Sequence, residues 1–394
     1  MYLRNGRIGV IDLSSKETAE QEFSEEFAKD DVSSVRIAER LASEHGGDSL
    51  ILGTGLLTAS FVPAACAGIL WTGRGFMPLL GFAGFELKLT GFDFVVVKGS
   101  ASVPGYLWIR DGVIEFVESD KMQTLDSWKR TDKIRSDQGD GKIQVLSVGP
   151  WGDAGMHAAQ VVTDYWGGED KAGLGSEFGS RNLAAIAFRG MGELELQEPE
   201  KHFEDSLLLM RDHIMRLGKN DGLASYWSGA EREDFRKLTH RTVSCYGCPF
   251  PCRSYLKVFE DPKELKMVEK EPGYLHYDIP ALEKCFALGL SASDSTLALM
   301  RCARAGAEPA SVLDSITSSG QKVSLETIGS ALSKPTDVKN LRVMNFEASF
   351  SDMDQYKVCV GLGVCPRYWA KIGFNLEGVA AYGQSALGTL PPLH

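Results

Sequence analysis

The chain has no Lys/Arg-rich run, no long apolar run and few histidines, and each shortage removes a class of function. Lys plus Arg number 42 against 53 Asp plus Glu, for a net charge of −11. Nucleic-acid binding needs a basic footprint and is therefore not expected. The longest apolar stretches are broken by glycine short of the roughly 20 residues that span a bilayer, so no membrane insertion is expected. Residues 1–13 carry charges inside their apolar stretch, unlike a secretory signal. The expected compartment is the cytoplasm. The seven histidines are scattered. His240 and His276 lie nearest the informative segments, and each alone reads as structural. There is no G-x-S-x-G, no P-loop and no H-E-x-x-H. Gly73-Arg74-Gly75 is too short for a dinucleotide fingerprint.

What is plentiful is glycine, with 42 residues, and cysteine, with 8. The 394 residues are 43% apolar and 24% charged, a globular composition long enough for two domains. Short runs at residues 10–13, 50–52, 94–97, 106–109, 113–117, 144–148 and 184–188 read as strands bounded by Gly, Asp or Ser. Arg110-Asp111-Gly112 reads as a hairpin turn. Residues 27–44 have helical spacing, stopped by Gly46-Gly47. The glycine-dense stretch 53–91 reads as tight turns. Residues 193–200 are acidic, include Pro199 and mark a boundary. Beyond them, residues 205–217, 279–290, 293–305, 311–318 and 323–332 have helical period. The expected class is α+β: a β-rich N-terminal domain over residues 1–198, then a mostly helical domain over residues 199–394.

The strongest motif is Cys245-Tyr246-Gly247-Cys248-Pro249-Phe250-Pro251-Cys252. Structural disulfides are not expected in a reducing compartment, and clustered cysteines there point first to metal. The spacing is C-x2-C-x3-C, and Gly247 with two prolines favours a non-helical loop. A fourth ligand must come from elsewhere. Cys365, in Gly361-Leu362-Gly363-Val364-Cys365-Pro366, is the best candidate, and Cys359 competes with it. Zinc and a [4Fe–4S] cluster both take four thiolates. Zinc sites more often pair C-x2-C with a second pair, so three cysteines in one loop suit the cluster better. Arg241, Arg253 and Arg367 flank these ligands and could offset their charge. Cys285 and Cys302, on helical stretches, and Cys66, in Ala64-Ala65-Cys66-Ala67, read as buried packing.

At this point the chain resembles the aldehyde ferredoxin oxidoreductase family of tungsten and molybdenum enzymes. Gly6-Arg7-Ile8-Gly9-Val10-Ile11-Asp12-Leu13-Ser14 is similar to that family's first strand. Gly84-Phe85-Glu86-Leu87-Lys88-Leu89 resembles its Gly-x-Glu-Leu-Lys segment. Gly175-Ser176-Glu177-Phe178-Gly179-Ser180-Arg181-Asn182-Leu183 resembles the Gly-Ser-Lys-Asn-Leu segment that closes its N-terminal domain. Cys245, Cys248 and Cys252 match three ligands of its [4Fe–4S] cluster, and Cys365 matches the fourth. The resemblance implies an N-terminal β domain that serves as base for a metal bis-pterin, covered by helical domains. It implies aldehyde oxidation or a related low-potential reaction, with electrons passed to ferredoxin.

The departures fall at the pterin places. Two family Asp positions, in D-x-x-G-L motifs, are Phe286 and Val360 here. A family Arg falls at Ala67 and a family Asn at Pro78. A cation-bearing glycine stretch reads Trp166-Gly167-Gly168-Glu169-Asp170-Lys171-Ala172-Gly173, where Lys171 alone keeps a positive charge. The chain is shorter than full-length members, mostly between Gly289 and Cys365. Losing polar partners for a buried ligand costs about 1–3 kcal/mol each, so a tungsten or molybdenum bis-pterin is not expected. The leading expectation is an iron–sulfur electron-transfer or scaffold subunit, within an oligomer or complex. Its partner would be a redox protein, ferredoxin-like or a larger oxidoreductase subunit. The alternatives are an active tungsten or molybdenum oxidoreductase with an atypical pocket, and a zinc-stabilised binding protein.

Overall fold

The computed structural model describes residues 2–24, 32–218, 220–258, 274–276, 278–334 and 353–373. The N-terminal part is built from two sheets. The first has six strands in the order β2-β1-β6-β3-β4-β5: β1 Arg7–Asp12, β2 Glu17–Glu22, β3 Leu50–Thr54, β4 Gly68–Thr72, β5 Gly75–Leu79 and β6 Phe94–Lys98. The second has five, in the order β10-β9-β11-β7-β8: β7 Gly105–Arg110, β8 Val113–Glu118, β9 Gln144–Ser147, β10 Val162–Thr163 and β11 Leu183–Arg189. The pairs β1–β6 and β7–β11 are parallel and the others antiparallel.

Period-two alternation decides which face each residue serves. Ile11, Leu52, Leu70, Val95 and Val97 of the first sheet join Leu107, Ile109, Ile186 and Phe188 of the second in one core. Ile8, Val10, Ile51, Ile69 and Val96 point the other way, onto helix α1 (Ser34–His45), which buries Val35, Ile37, Ala38, Leu41 and Ala42. Helix α2 (Ala83–Leu89) contributes Ala83 and Leu87 to the core between the sheets. Its polar residues are structural too. Lys88, fully buried, pairs with Asp93 at 2.6 Å. Glu86 receives Arg189 at 2.9 Å and the Gly190 N–H at 3.1 Å, tying α2 to the end of β11. Helix α3 (Ser127–Gln138) covers the outer face of the second sheet with Ile134.

Beyond residue 190 helices dominate, as expected. Helix α4 (Pro199–Leu217) starts with proline at its first turn, where a missing N–H is harmless. It is followed by α5 (Gly229–Leu238), then α6 (Ile279–Ala287), α7 (Ala292–Ala305), α8 (Pro309–Ser318) and α9 (Leu325–Ser333). Asp278, Ser291, Glu308 and Ser324 cap α6 to α9 through their side chains. These helices share a core with Trp151, Ala158 and Val162 of the N-terminal part. Helices α10 (Met353–Leu362) and α11 (Pro366–Ile372) follow.

Three features differ from the sequence reading. The glycine-dense stretch holds β4, β5 and α2 as well as turns; elements of five to seven residues show too little periodicity to declare themselves. Among the described residues the first helix begins at Ser34, and residues 27–31 of the expected span lie outside them. The second half carries a three-stranded sheet, β12 (Thr239–Val243), β13 (Arg253–Leu256) and β14 (Tyr274–His276). No helix among the described residues is long and apolar enough to cross a membrane.

Candidate metal centre

The small sheet positions the cysteine loop. Strands β12 and β13 pair antiparallel, with Val243 opposite Arg253, so residues 245–252 project as the connection between them. Gly247 at φ +59° turns the chain inside it. The loop is fastened on two sides. The Tyr246 N–H donates to the Gly81 carbonyl at 3.0 Å, and the Gly247 carbonyl accepts from the Ala64 N–H at 2.9 Å.

The same Ala64 brings in the distant cysteine. Its carbonyl accepts from the Cys365 N–H at 2.9 Å, while the Ala67 N–H donates to Gly363 at 3.0 Å and the Leu57 N–H to Leu362 at 2.8 Å. Closeness here depends on glycine: a Cβ on Gly55 would stand 2.1 Å from the Gly363 nitrogen. Helix α11 leaves directly after Cys365 and is held by α4, where His213 Nδ1 meets the Tyr368 hydroxyl.

Cys245, Cys252 and Cys365 are buried, Cys248 is half-buried, and all four belong to one apolar core. The charges of Cys245 and Cys365 act on both Cys248 and Cys252. Cys359 is fully buried in helix α10, and among the cysteines only Cys365 acts on it. Cys66 was set aside as packing, yet its thiol is hydrogen-bonded to the sulfurs of both Cys245 and Cys365. The signal for it in the sequence was only the flanking alanines, whose small side chains let two other segments approach.

The surroundings favour a thiolate at Cys245 and oppose one at Cys248 and Cys252. The hydrogen bond from Cys66 brings the Cys245 thiol down to about 5, helped by Arg253 against the opposing effect of burial. Arg253 Nη2 donates to Cys245 Sγ at 3.0 Å. Burial pushes Cys252 up to about 12 against the pull of Arg367. Of the three arginines flagged beside the motif, Arg253 and Arg367 serve the cysteines, whereas Arg241 lies over the Tyr255 ring at 4.9 Å. Cys285 and Cys302 sit in the helical core, as read.

Around one zinc at about 2.3 Å, tetrahedral thiolates stand roughly 3.8 Å apart. Among the described residues no three His, Cys, Asp or Glu side chains are gathered tightly enough for a single ion. Cys245, Cys248, Cys252 and Cys365 share one apolar core, with Arg253 and Arg367 acting against the charge of Cys252, and four thiolates are the donor type an iron–sulfur cluster takes.

The pterin places do not fit a pterin. The Asp170 carboxylate accepts from the backbone N–H of Val161, Ala172, Gly173, Leu174 and Gly175 at 2.9–3.2 Å. The chain's own anion thus fills the nest of donors a phosphate would use. Lys171 is neutralised by Asp278 at 2.6 Å and Glu308 at 3.1 Å. Val360 is fully buried against α1, and Phe286 packs on Trp227 and Phe235. A cavity of about 430 Å³ persists beside the cysteines, lined by Trp166, Glu169, Arg241, Arg253 and Tyr255 among others. Asp170→Ala should destabilise the protein by about 3 kcal/mol or more, since several buried N–H groups lose their acceptor, with Asp170→Asn milder. Urea unfolding measures this, and an alanine variant within 1 kcal/mol of the parent would contradict the role given to Asp170.

Residues 8–190 match the aldehyde ferredoxin oxidoreductase N-terminal domain family. The tungsten-containing aldehyde ferredoxin oxidoreductase of Pyrococcus furiosus is 28% identical over 239 residues, 57% of this chain and 39% of that protein. The WOR-like subunit of an aliphatic sulfonate oxidoreductase from the same organism is 24% identical over 304 residues, 69% of this chain and 46% of that one. The matched stretches cover less than half of either relative. Among solved structures, the active site complex BamBC of benzoyl coenzyme A reductase with 1,5-dienoyl-CoA is similar at a TM-score of 0.68 and 16% identity, over 96% of this chain and 65% of that chain. That likeness is one of fold.

Proposed function

We propose that this chain, a divergent member of the aldehyde ferredoxin oxidoreductase family through its N-terminal domain, is an iron–sulfur electron-transfer or scaffold subunit without a pterin metal. The observation that carries the reading is a contrast within one molecule. Cys245, Cys248, Cys252 and Cys365 converge with arginines beside them, while the pterin places are filled by Asp170, a neutralised Lys171, Val360 and Phe286.

A [4Fe–4S] cluster bound there would supply one-electron exchange at low potential. The protein's own part is to hold the four thiolates, offset their charge and limit water. Arg253 and Arg367 carry the charge, and the apolar neighbours Phe250, Leu362, Val364 and Trp369 exclude water. Half-buried Cys248 marks the side nearest solvent, the natural exit for an electron. The partner is a redox protein, ferredoxin-like or a larger oxidoreductase subunit. Relatives named as a subunit and as part of a complex support that reading.

One observation favours a second reading. The cavity beside Arg253 is large enough for a small organic substrate, so an active oxidoreductase with an atypical pocket stands behind the first. Metal analysis separates them. Anaerobically purified protein should be brown, with close to four iron and four sulfide per chain and neither tungsten nor molybdenum. Tungsten or molybdenum at one per chain would install the second reading, and one zinc without sulfide would sink both.

A further inference from the structure

We infer that helix α4 is a dimerisation surface, on which a second copy of this chain lays its own α4 antiparallel about a two-fold axis near Leu208. This surface is independent of the metal the cysteines hold.

Helix α4 has one apolar face more than its own fold uses. Its 19 residues bury His202, Ser206, Leu209 and His213 against the body of the protein, where His213 meets the Tyr368 hydroxyl and stands edge-on to the Trp369 ring of α11. A surface helix held along one such stripe is ordinarily polar elsewhere. Here Phe203, Leu207, Leu208, Ile214 and Met215 are 41–76% exposed. Phe203, Leu207, Met210, Ile214 and Leu217 follow one another at alternating spacings of four and three, the a/d seam of a two-stranded coiled coil. Met210 and Leu217 are half-buried at the edge of that seam. Phe61, also exposed, extends the patch, with its ring 5.5 Å from that of Phe203. A contiguous apolar face of this extent is uncommon on a monomer and marks an association site.

Charge selects the occupant and its direction. Glu204 and Arg211 each follow a d residue of the seam, Phe203 and Met210, and so stand at its e positions, where charges set partner and orientation. Both are exposed. Lys201 and Arg216 are taken by Asp205 and Asp212 on the same helix, whereas neither Glu204 nor Arg211 has an ion-pair partner among the described residues. In an antiparallel pair, e positions lie beside e positions. Glu204 of each copy then meets Arg211 of the other, and the two-fold axis makes that contact twice. The helix is complementary to itself when reversed, which is what a second copy requires.

The test is sedimentation equilibrium of the anaerobically purified full-length chain over a concentration series that crosses the micromolar range. The parent should sediment as two chains of 43.0 kDa. Leu207→Glu should raise the dissociation constant by about a hundredfold or more, because a two-fold interface carries every substitution twice. Glu204→Arg should raise it by about tenfold by setting like charges side by side, and adding Arg211→Glu to that variant should recover most of the loss. All these side chains are exposed, so circular dichroism should show every variant folded as the parent is. A parent that stays monomeric would overturn the inference, and the face would pass to residues 374–394 of this chain or to a different protein. A dimer that Leu207→Glu leaves intact would overturn it as well, by placing the contact on another face. A charge-swapped double variant no tighter than Glu204→Arg alone would overturn the antiparallel arrangement.

Discussion

Cys365→Ala is expected to lose the cluster or retain a three-iron form, whereas Cys359→Ala keeps all four irons. The two cysteines are six positions apart and equally buried, but their surroundings differ. The Cys365 backbone is bonded to Ala64, which also holds the cysteine loop. Its charge acts on Cys248 and Cys252. Cys359 lies inside helix α10, which ends at Leu362, before the turn that carries Cys365. Pro366 after Cys365 cannot donate a backbone N–H and sets the chain straight into α11. Because ligation is coupled to folding, the Cys365→Ala chain should also loosen where α11 meets α4. Hydrogen exchange should rise across residues 245–252 and 366–372 and stay unchanged in the two N-terminal sheets. Iron assay and the EPR signal of the oxidised protein settle the first part. If Cys359→Ala loses iron and Cys365→Ala does not, the fourth ligand is Cys359.

Much of this molecule was legible because local pattern and tertiary role agree. The strand runs around Val95 and Ile186 are hydrophobic enough to stand in a doubly covered sheet, and they do. Helices α6 to α9 announce themselves through period and caps. The cysteine stretch was legible as a non-helical loop because Gly247 and two prolines break regular structure there, and it does connect two paired strands. What stayed hidden depends on contacts between segments far apart in sequence. Strands β12 and β13 are five and four residues long, and their only visible product is the loop between them. Cys66 looked like filler because nothing in Ala64-Ala65-Cys66-Ala67 reveals that Ala64 joins two distant segments. Asp170 stood out only as part of a glycine stretch with one cation left. In the fold it is the anion that the surrounding N–H groups bind, which no local pattern could disclose.

The chain should purify without pterin, tungsten or molybdenum even when expressed with tungstate and molybdate, and should not oxidise aldehydes by itself. The argument is one of occupied places. A pterin phosphate would have to displace the Asp170 carboxylate from its backbone donors, and a carboxylate tethered in the same chain competes at high effective concentration. Lys171 would have to leave two buried carboxylates, stranding them unpaired, a change worth several kcal/mol. Val360 and Phe286 offer no acceptor to a pterin ring, and both are fixed in apolar cores. The Glu86–Arg189 pair ties α2 to the end of β11, and the buried Lys88–Asp93 pair fixes the turn after α2, so their presence is structural and carries no weight for cofactor binding. The remaining cavity, with Arg241, Arg253 and Glu169 on its wall, has room for a small ligand. Mass spectrometry of denatured protein for released pterin, with metal analysis of the same sample, reads the outcome. Stoichiometric pterin with either metal would show that Asp170 and Lys171 rearrange on loading, and would promote the oxidoreductase reading to first place.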